Sequence, residues 1–282
     1  MKKYVLSAIL ICLLIYGHLT FYKKAFLVKN ELDAKARINY VLPATFTHFA
    51  ALDFKGLAAD FQLLEAIFFI GEKIEKGELI TIQNWKYFKK IIQAVNDLDP
   101  YFYDPYYFGA AMLTWGPHMY QDSIDILETA RKYRTWDWHI PFNEGFIYFY
   151  FLKDYKKGAE LIGQAAQYKG APAYYATLSA RLSYYSGDHK TGILLLKGML
   201  AETHNIDIRK MYQKRITALE GAVALENAVE QYKQEKGHAP ENLQELVTAG
   251  IIKEIPTDPY GGKYILLKTG RVFSTSKFAD EH

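Results

Sequence analysis

The sequence predicts a mostly α-helical protein with three parts. These are an N-terminal transmembrane helix, a solenoid of antiparallel helix pairs and a small C-terminal α+β tail with a β-hairpin. Three observations predict it. An apolar run from Tyr4 to Tyr22 lies between two lysine pairs. Glycine and proline are sparse before residue 237, and apolar residues recur there at helical spacing. Past Gly237 the composition changes to turn residues and short alternating stretches.

The first part rests on length and polarity. Nineteen residues from Tyr4 to Tyr22 carry no acidic or basic side chain except His18. As a helix they rise about 28 Å, enough to cross a bilayer core of about 30 Å with little tilt. A cleaved signal peptide shares the basic start and apolar core. It would need small residues before the cut, and Ile15 ahead of Gly17 is a poor match. Ile9, Leu10 and Ile11 before Cys12 lack the small residue of a lipoprotein signal. Cys12 is the only cysteine, so no internal disulfide or cysteine-based zinc site can form. Lys2 and Lys3 favour an inside N-terminus, but Lys23, Lys24, Lys29, Lys35 and Arg37 follow the span and oppose it.

Composition narrows the partners. A net charge of +3 from 34 basic and 31 acidic residues is too even to imply nucleic-acid binding. Aromatic residues make up 16% of the chain, with 23 tyrosines and 17 phenylalanines, concentrated between Tyr87 and Tyr185. They read as a bulky helical core, or as an aromatic-lined groove for a peptide or glycan.

Leu57, Phe61, Leu64, Ile67 and Phe68 mark an amphipathic helix, and Trp85, Phe88, Ile91, Ile92 and Val95 mark the next. Asp99-Pro100 ends it, because proline pushes its predecessor out of the helical region. An internal repeat follows. Tyr120, Ile124, Leu127 and Ala130 match Tyr155, Ala159, Ile162 and Ala165 at a spacing of 35. A fainter third copy matches Lys153-Asp154-Tyr155 to Gly187-Asp188-His189, and Gly158 to Gly192. Pro105, Pro141 and Pro172 open the units, where a first helical turn tolerates proline. Over residues 82–203 the chain resembles the tetratricopeptide-repeat family, through Gly109 and Gly145, Tyr120 and Tyr155, Ala130 and Ala165, and Leu98-Asp99-Pro100. The usual early tryptophan is missing. The resemblance implies a concave groove for peptides or partner proteins, with Leu52–Phe69 as an atypical first pair or cap. Tyr106, Tyr107, Trp138 and Tyr174 are the candidate groove residues.

A further helix spans 214–236, with Ile216, Leu219, Val223, Leu225, Ala228, Val229 and Tyr232 as its apolar face and Gly237 as its cap. Asn242 can cap a short helix over Leu243–Thr248, ended by Gly250. Pro256, Asp258, Gly261 and Gly262 set a turn region. Lys263–Lys268 and Arg271–Ser276 flank Thr269-Gly270 as a hairpin. The order Leu219-Glu220, Leu225-Glu226-Asn227-Ala228-Val229, Tyr232, Gly237, Pro240, Leu243-Gln244-Glu245-Leu246, Ile255-Pro256, Asp258-Pro259-Tyr260-Gly261-Gly262, Tyr264 and Ser274 resembles a known globular unit. It is that of the major pseudopilin of type II secretion and of related type IV pilins. The pilin cleavage and methylation motif is absent at Gly17, and the acidic calcium loop after the hairpin is missing. The resemblance therefore implies a borrowed helix-plus-hairpin module, with neither polymerisation nor a calcium site.

No catalytic constellation has specific spacing. Asp53, Asp60 and Glu65 read as solvated or capping carboxylates. Trp136-Asp137-Trp138-His139 reads as a turn in which Asp137 caps the following helix and the tryptophans pack between repeats. A carbohydrate or peptide platform is its alternative. The expected organisation is an anchor at 1–24, membrane-proximal helices at 25–81, repeats at 82–213 and the tail at 214–282. The expected function is a non-catalytic scaffold or assembly factor at a bacterial-type envelope, tied to a secretion or pilus-like machine. Pilin-like or secretion-machine subunits would be its protein partners. The bilayer would hold Tyr4–Tyr22, and neither cofactor nor metal is expected. The bulk would lie on the extracytoplasmic side of the inner membrane. A binding protein for an envelope peptide or glycan is the alternative, which an aromatic groove with few charges would favour.

Overall fold

The structure, a computed structural model, describes residues 14–25, 41–42 and 44–279. Residues 14–25 are helical (α1) and exposed; residues 4–13 of the expected membrane segment lie outside the described residues. Among the described residues no helix is long and apolar enough to cross a membrane.

The protein is mostly helical. After α1 come α2 (Ala44–Ala51), α3 (Lys55–Glu75), α4 (Ile82–Leu98), α5 (Tyr103–Trp115), α6 (Tyr120–Tyr133) and α7 (His139–Phe146). A π-helical turn (Ile147–Phe151) extends α7. Then follow α8 (Tyr155–Ala166), α9 (Tyr174–Ser186), α10 (His189–Glu202), α11 (Ile206–Lys236) and α12 (Gln244–Thr248). From α3 to α11 each helix packs on the next. Thr81 opens α4 with a reciprocal cap, its hydroxyl accepting from Asn84 N while Asn84 Oδ1 accepts from Thr81 N. Asp154 and Asp188 cap α8 and α10 in the same position of their units.

The packing is close where α7 meets α8. A Cβ on Gly145 would lie 2.8 Å from Ile162 Cγ1 and 3.2 Å from the carbonyl oxygen of Gly158. A Cβ on Gly158 would lie 2.7 Å from Phe149 Cβ. Only glycine lets these backbones approach so far.

Two expectations change. The helix expected from residue 214 begins at Ile206, because Asn205 Oδ1 accepts from the N–H groups of Asp207 and Ile208 and caps it there. The α3 face expected to be the buried one is exposed. Leu57, Phe61, Leu64, Ile67 and Phe68 face outward, while Ala59, Leu63, Ala66 and Ile70 pack inward. Small side chains on the inner face allow close approach to α4.

The tail forms as its turn chemistry directs. Gly237 caps α11 at φ +78°. Asn242 Oδ1 accepts from Gln244 N at 3.0 Å and Glu245 N at 3.3 Å, starting α12. Strands β1 (Tyr264–Leu266) and β2 (Val272–Ser274) pair antiparallel, Tyr264 opposite Ser274 and Leu266 opposite Val272. Two apolar cores result. One runs from Ala59 to Ile147. The other joins Ala159–Leu196 to α11, α12 and the hairpin, so the tail shares a core with the last helix pairs.

Candidate functional site

The second core is locked by one carboxylate. Glu226 on α11 is largely buried; its Oε1 accepts from Arg271 Nε at 2.7 Å and Val272 N at 2.9 Å. The Tyr184 hydroxyl reaches Glu226 Oε1 at 3.0 Å and also the carbonyl of Val272. Glu226 Oε2 lies 2.9 Å from His189 Nε2. Burial lowers the His189 pKa against the pull of Glu226. Arg271 adds a bond to the Tyr184 carbonyl at 2.6 Å. Residues of α9, α10, α11 and the hairpin thus meet at one carboxyl group.

The tail turn has its own hub. Asp258, almost wholly buried, accepts from Tyr260 N at 2.9 Å and from Ser276 Oγ at 2.6 Å, and it bonds Ser274 Oγ. Gly261 at φ +80° closes the turn, donating its N–H to the Asp258 carbonyl. A Cβ on Gly262 would meet Asp258 Oδ2 at 2.7 Å and Ser276 N at 2.6 Å. Pro256 lies just ahead of this turn. The site is structural, holding β2 to the turn.

The aromatic groove residues do not converge on one point. Tyr106 is wholly buried, its hydroxyl donating to the Pro100 carbonyl at 3.1 Å, so it lines no open groove. Its neighbour Tyr107 is half exposed, because one residue turns a helix by about 100°. Tyr107 stacks on Tyr103 at 5.8 Å. Trp138 stacks on His139 at 3.5 Å and meets the edge of Tyr175 at 5.5 Å. Half-exposed Tyr174 packs on the same Tyr175 at 4.7 Å. Phe142 links the two places, stacked on Tyr175 at 4.2 Å and lining the cleft beside Tyr107.

That cleft, of about 250 Å³, opens between α5, α6 and α7. Its walls are Tyr107, Ala111 and Trp115 on one side and Phe142, Asn143 and Phe146 on the other, with Leu127 between. The π-helical turn places Tyr150 and Phe151 against Trp115, at 6.2 and 4.9 Å. No charged side chain lines it. Two polar groups can orient an occupant. Thr114 Oγ1 is buried without a partner among the described residues, and Asn143 contributes an amide. Such a cleft can take one large apolar side chain with a hydrogen bond at its floor. A wider polar cleft of about 480 Å³ lies between α8, α9 and α10, bordered by Lys156, Glu160, Ser183 and Asp188.

Trp136-Asp137-Trp138-His139 behaves as a structural turn. Asp137 accepts from Arg134 Nε at 3.0 Å and Nη2 at 2.7 Å, and from His139 N at 3.0 Å. Burial opposes its charge, but these bonds from Arg134 and His139 hold its carboxyl below the usual range. Trp138 packs between units and exposed Trp136 stacks on Tyr101 at 6.1 Å. Glu65 accepts from Tyr87 at 3.1 Å, and Asp53 and Asp60 are exposed. Among the described residues no group of three His, Cys, Asp or Glu could hold a metal ion.

Glu144 has no signal in the sequence beyond its place beside Gly145. It is wholly buried on α7, with neither carboxyl oxygen hydrogen-bonded and Arg131 Nη1 3.5 Å from Oε2. Burial pushes its carboxyl up to about 7, partly opposed by Arg131. With the folded pKa raised, the stability this group contributes is present below about 4.5 and is lost as pH rises through about 7. Glu144→Gln should therefore stabilise the protein by about 2–3 kcal/mol at pH 8 and change little at pH 4.5. Urea denaturation at both pH values measures this; equal effects would show that Glu144 does not titrate there.

Comparison with known proteins places one segment. A part of the chain is similar to the type II secretion system core protein G of Escherichia coli (strain K12), 31% identical over 96 residues. The match covers 28% of this chain and 66% of that protein, just short of two thirds of its length. No protein-family model matches, so the tetratricopeptide resemblance rests on helix pairing and spacing alone. No solved structure matches.

Proposed function

We propose that this chain is a non-catalytic, membrane-tethered interaction scaffold or assembly factor of a bacterial-type envelope, serving a secretion or pilus-like machine. The uncharged aromatic cleft between α5 and α7 carries the reading. Its size suits one aromatic or branched side chain of a partner, and its polar groups suit a peptide bond better than a sugar's many hydroxyls. The likeness to a type II secretion core protein supports pilin-like or secretion-machine subunits as that partner. The same uncharged lining favours capture of a free envelope peptide as the second reading. The Tyr4–Tyr22 segment would hold the chain in the inner membrane with its bulk outside the cytoplasm, so the protein should resist alkaline carbonate extraction.

Ala111→Trp tests the cleft, because an indole there fills it. Full-length protein solubilised from native membranes should co-purify pilin-like or secretion subunits. The variant should retain at least about tenfold less of them, with its carbonate resistance unchanged. Equal recovery with both proteins would overturn the reading.

A further inference from the structure

The outward face of α3 takes no part in the cleft. Leu57, Phe61, Leu64 and Phe68 follow one another at spacings of four, three and four, a single stripe along the helix. Phe61 and Phe68 are 65% and 68% exposed. Phe49 on α2 and Phe54 ahead of α3 are 78% and 69% exposed beside them in sequence. Since Ala59, Leu63, Ala66 and Ile70 fill the inner face, α3 is apolar on both sides. A helix apolar all round is one that something covers on both sides. Between Lys55 and Glu72 its only charged residues are Asp60 and Glu65, and Glu65 is drawn to Tyr87.

We propose that this stripe lies in the surface of the lipid bilayer, with Phe61 and Phe68 below the headgroups. The inference rests on the tethered reading given above. Two further observations choose lipid as the occupant. Residues 23–40, directly after the apolar Tyr4–Tyr22 segment, carry Lys23, Lys24, Lys29, Lys35 and Arg37 against two acidic residues, Glu31 and Asp33. Such a stretch is drawn to anionic headgroups. The tether also keeps the stripe at high local concentration beside the membrane. Phenylalanine and leucine on one face are the residues by which a helix rests in that layer. The first helix pair would then set the array against the membrane, with the cleft held at a fixed height above it.

The test uses full-length protein in phosphatidylethanolamine–phosphatidylglycerol vesicles containing spin-labelled lipid. An environment-sensitive dye on native Cys12 reads the anchor. The same dye at position 61 or 68, by Phe61→Cys or Phe68→Cys in a Cys12→Ser background, reads the stripe. Lys132→Cys on α6 gives the reference. Dyes at 61 and 68 should be quenched at least twofold more than the dye at 132. If Cys12 is quenched and 61 and 68 are not, the stripe proposal falls and the anchor stands. If none is quenched, the tethered reading fails and takes the proposal with it. Excimer emission from pyrene at position 61, without lipid quenching, would overturn it in favour of a second copy of this chain.

Discussion

Glu226→Ala should lower stability by about 3 kcal/mol, the cost of leaving a partly buried charge and a buried N–H without their partner. The substitution strips Arg271 of its carboxylate and Val272 N of its acceptor, and removes one partner each from Tyr184 and His189. For a chain of this size that corresponds to a fall in melting temperature of roughly 10 °C. Glu226→Gln should cost less, because an amide oxygen still accepts from Val272 N. Thermal denaturation of both variants measures the difference. The reason for a large effect is position. The Glu226 carboxyl joins the hairpin to α9, α10 and α11, so its loss loosens the second core as a whole.

Gly145→Leu should cost about 3 kcal/mol, at the upper end of overpacking. The added Cβ alone would press within 2.8 Å of Ile162 Cγ1 and 3.1 Å of Leu161 Cβ. It would also lie 3.2 Å from the Gly158 carbonyl, and backbone cannot swing aside as a side-chain tip can. Gly145→Ala should cost less, since it adds no bulk beyond Cβ. Urea midpoints of the two variants give the values, and a neutral leucine would show that α7 and α8 stand farther apart than the structure has them.

The helix starts were legible where spacing alone decides them. The first helices of the units begin at Tyr103, His139 and Tyr174, and the second helices at Tyr120, Tyr155 and His189. Tyr120 and Tyr155, aligned at 35 residues, each open a second helix. The capping residues and the hairpin were legible for the same reason, since Asn242, Gly237 and Gly270 act through local backbone geometry. What failed was the choice of face on α3. Periodicity weighs large side chains most, and so it put Phe61 and Phe68 inside. Close packing on α4 selects Ala59 and Ala66 instead, and the bulky residues turn outward.

The site was legible only in outline. An aromatic surface was foreseen, but Tyr106 and Tyr107 differ by one helical step, and only the second is open. Phe142, Asn143, Phe146 and Trp115 were not singled out, because one helix cannot reveal which of its faces will oppose another. Glu144 and Glu226 look like surface carboxylates in the sequence. Their burial follows from long-range contacts, with Arg131 in the first case and with a hairpin 45 residues away in the second.

The central claim is that a partner's side chain enters the cleft between α5 and α7. A photoreactive benzoylphenylalanine placed at position 111, in the full-length protein in intact membranes, tests it most directly. The same group at exposed position 132 on α6 serves as reference. The account predicts a discrete adduct with a pilin-like or secretion-machine subunit from position 111 and none from position 132. No adduct from 111, or the same adduct from both positions, would contradict it.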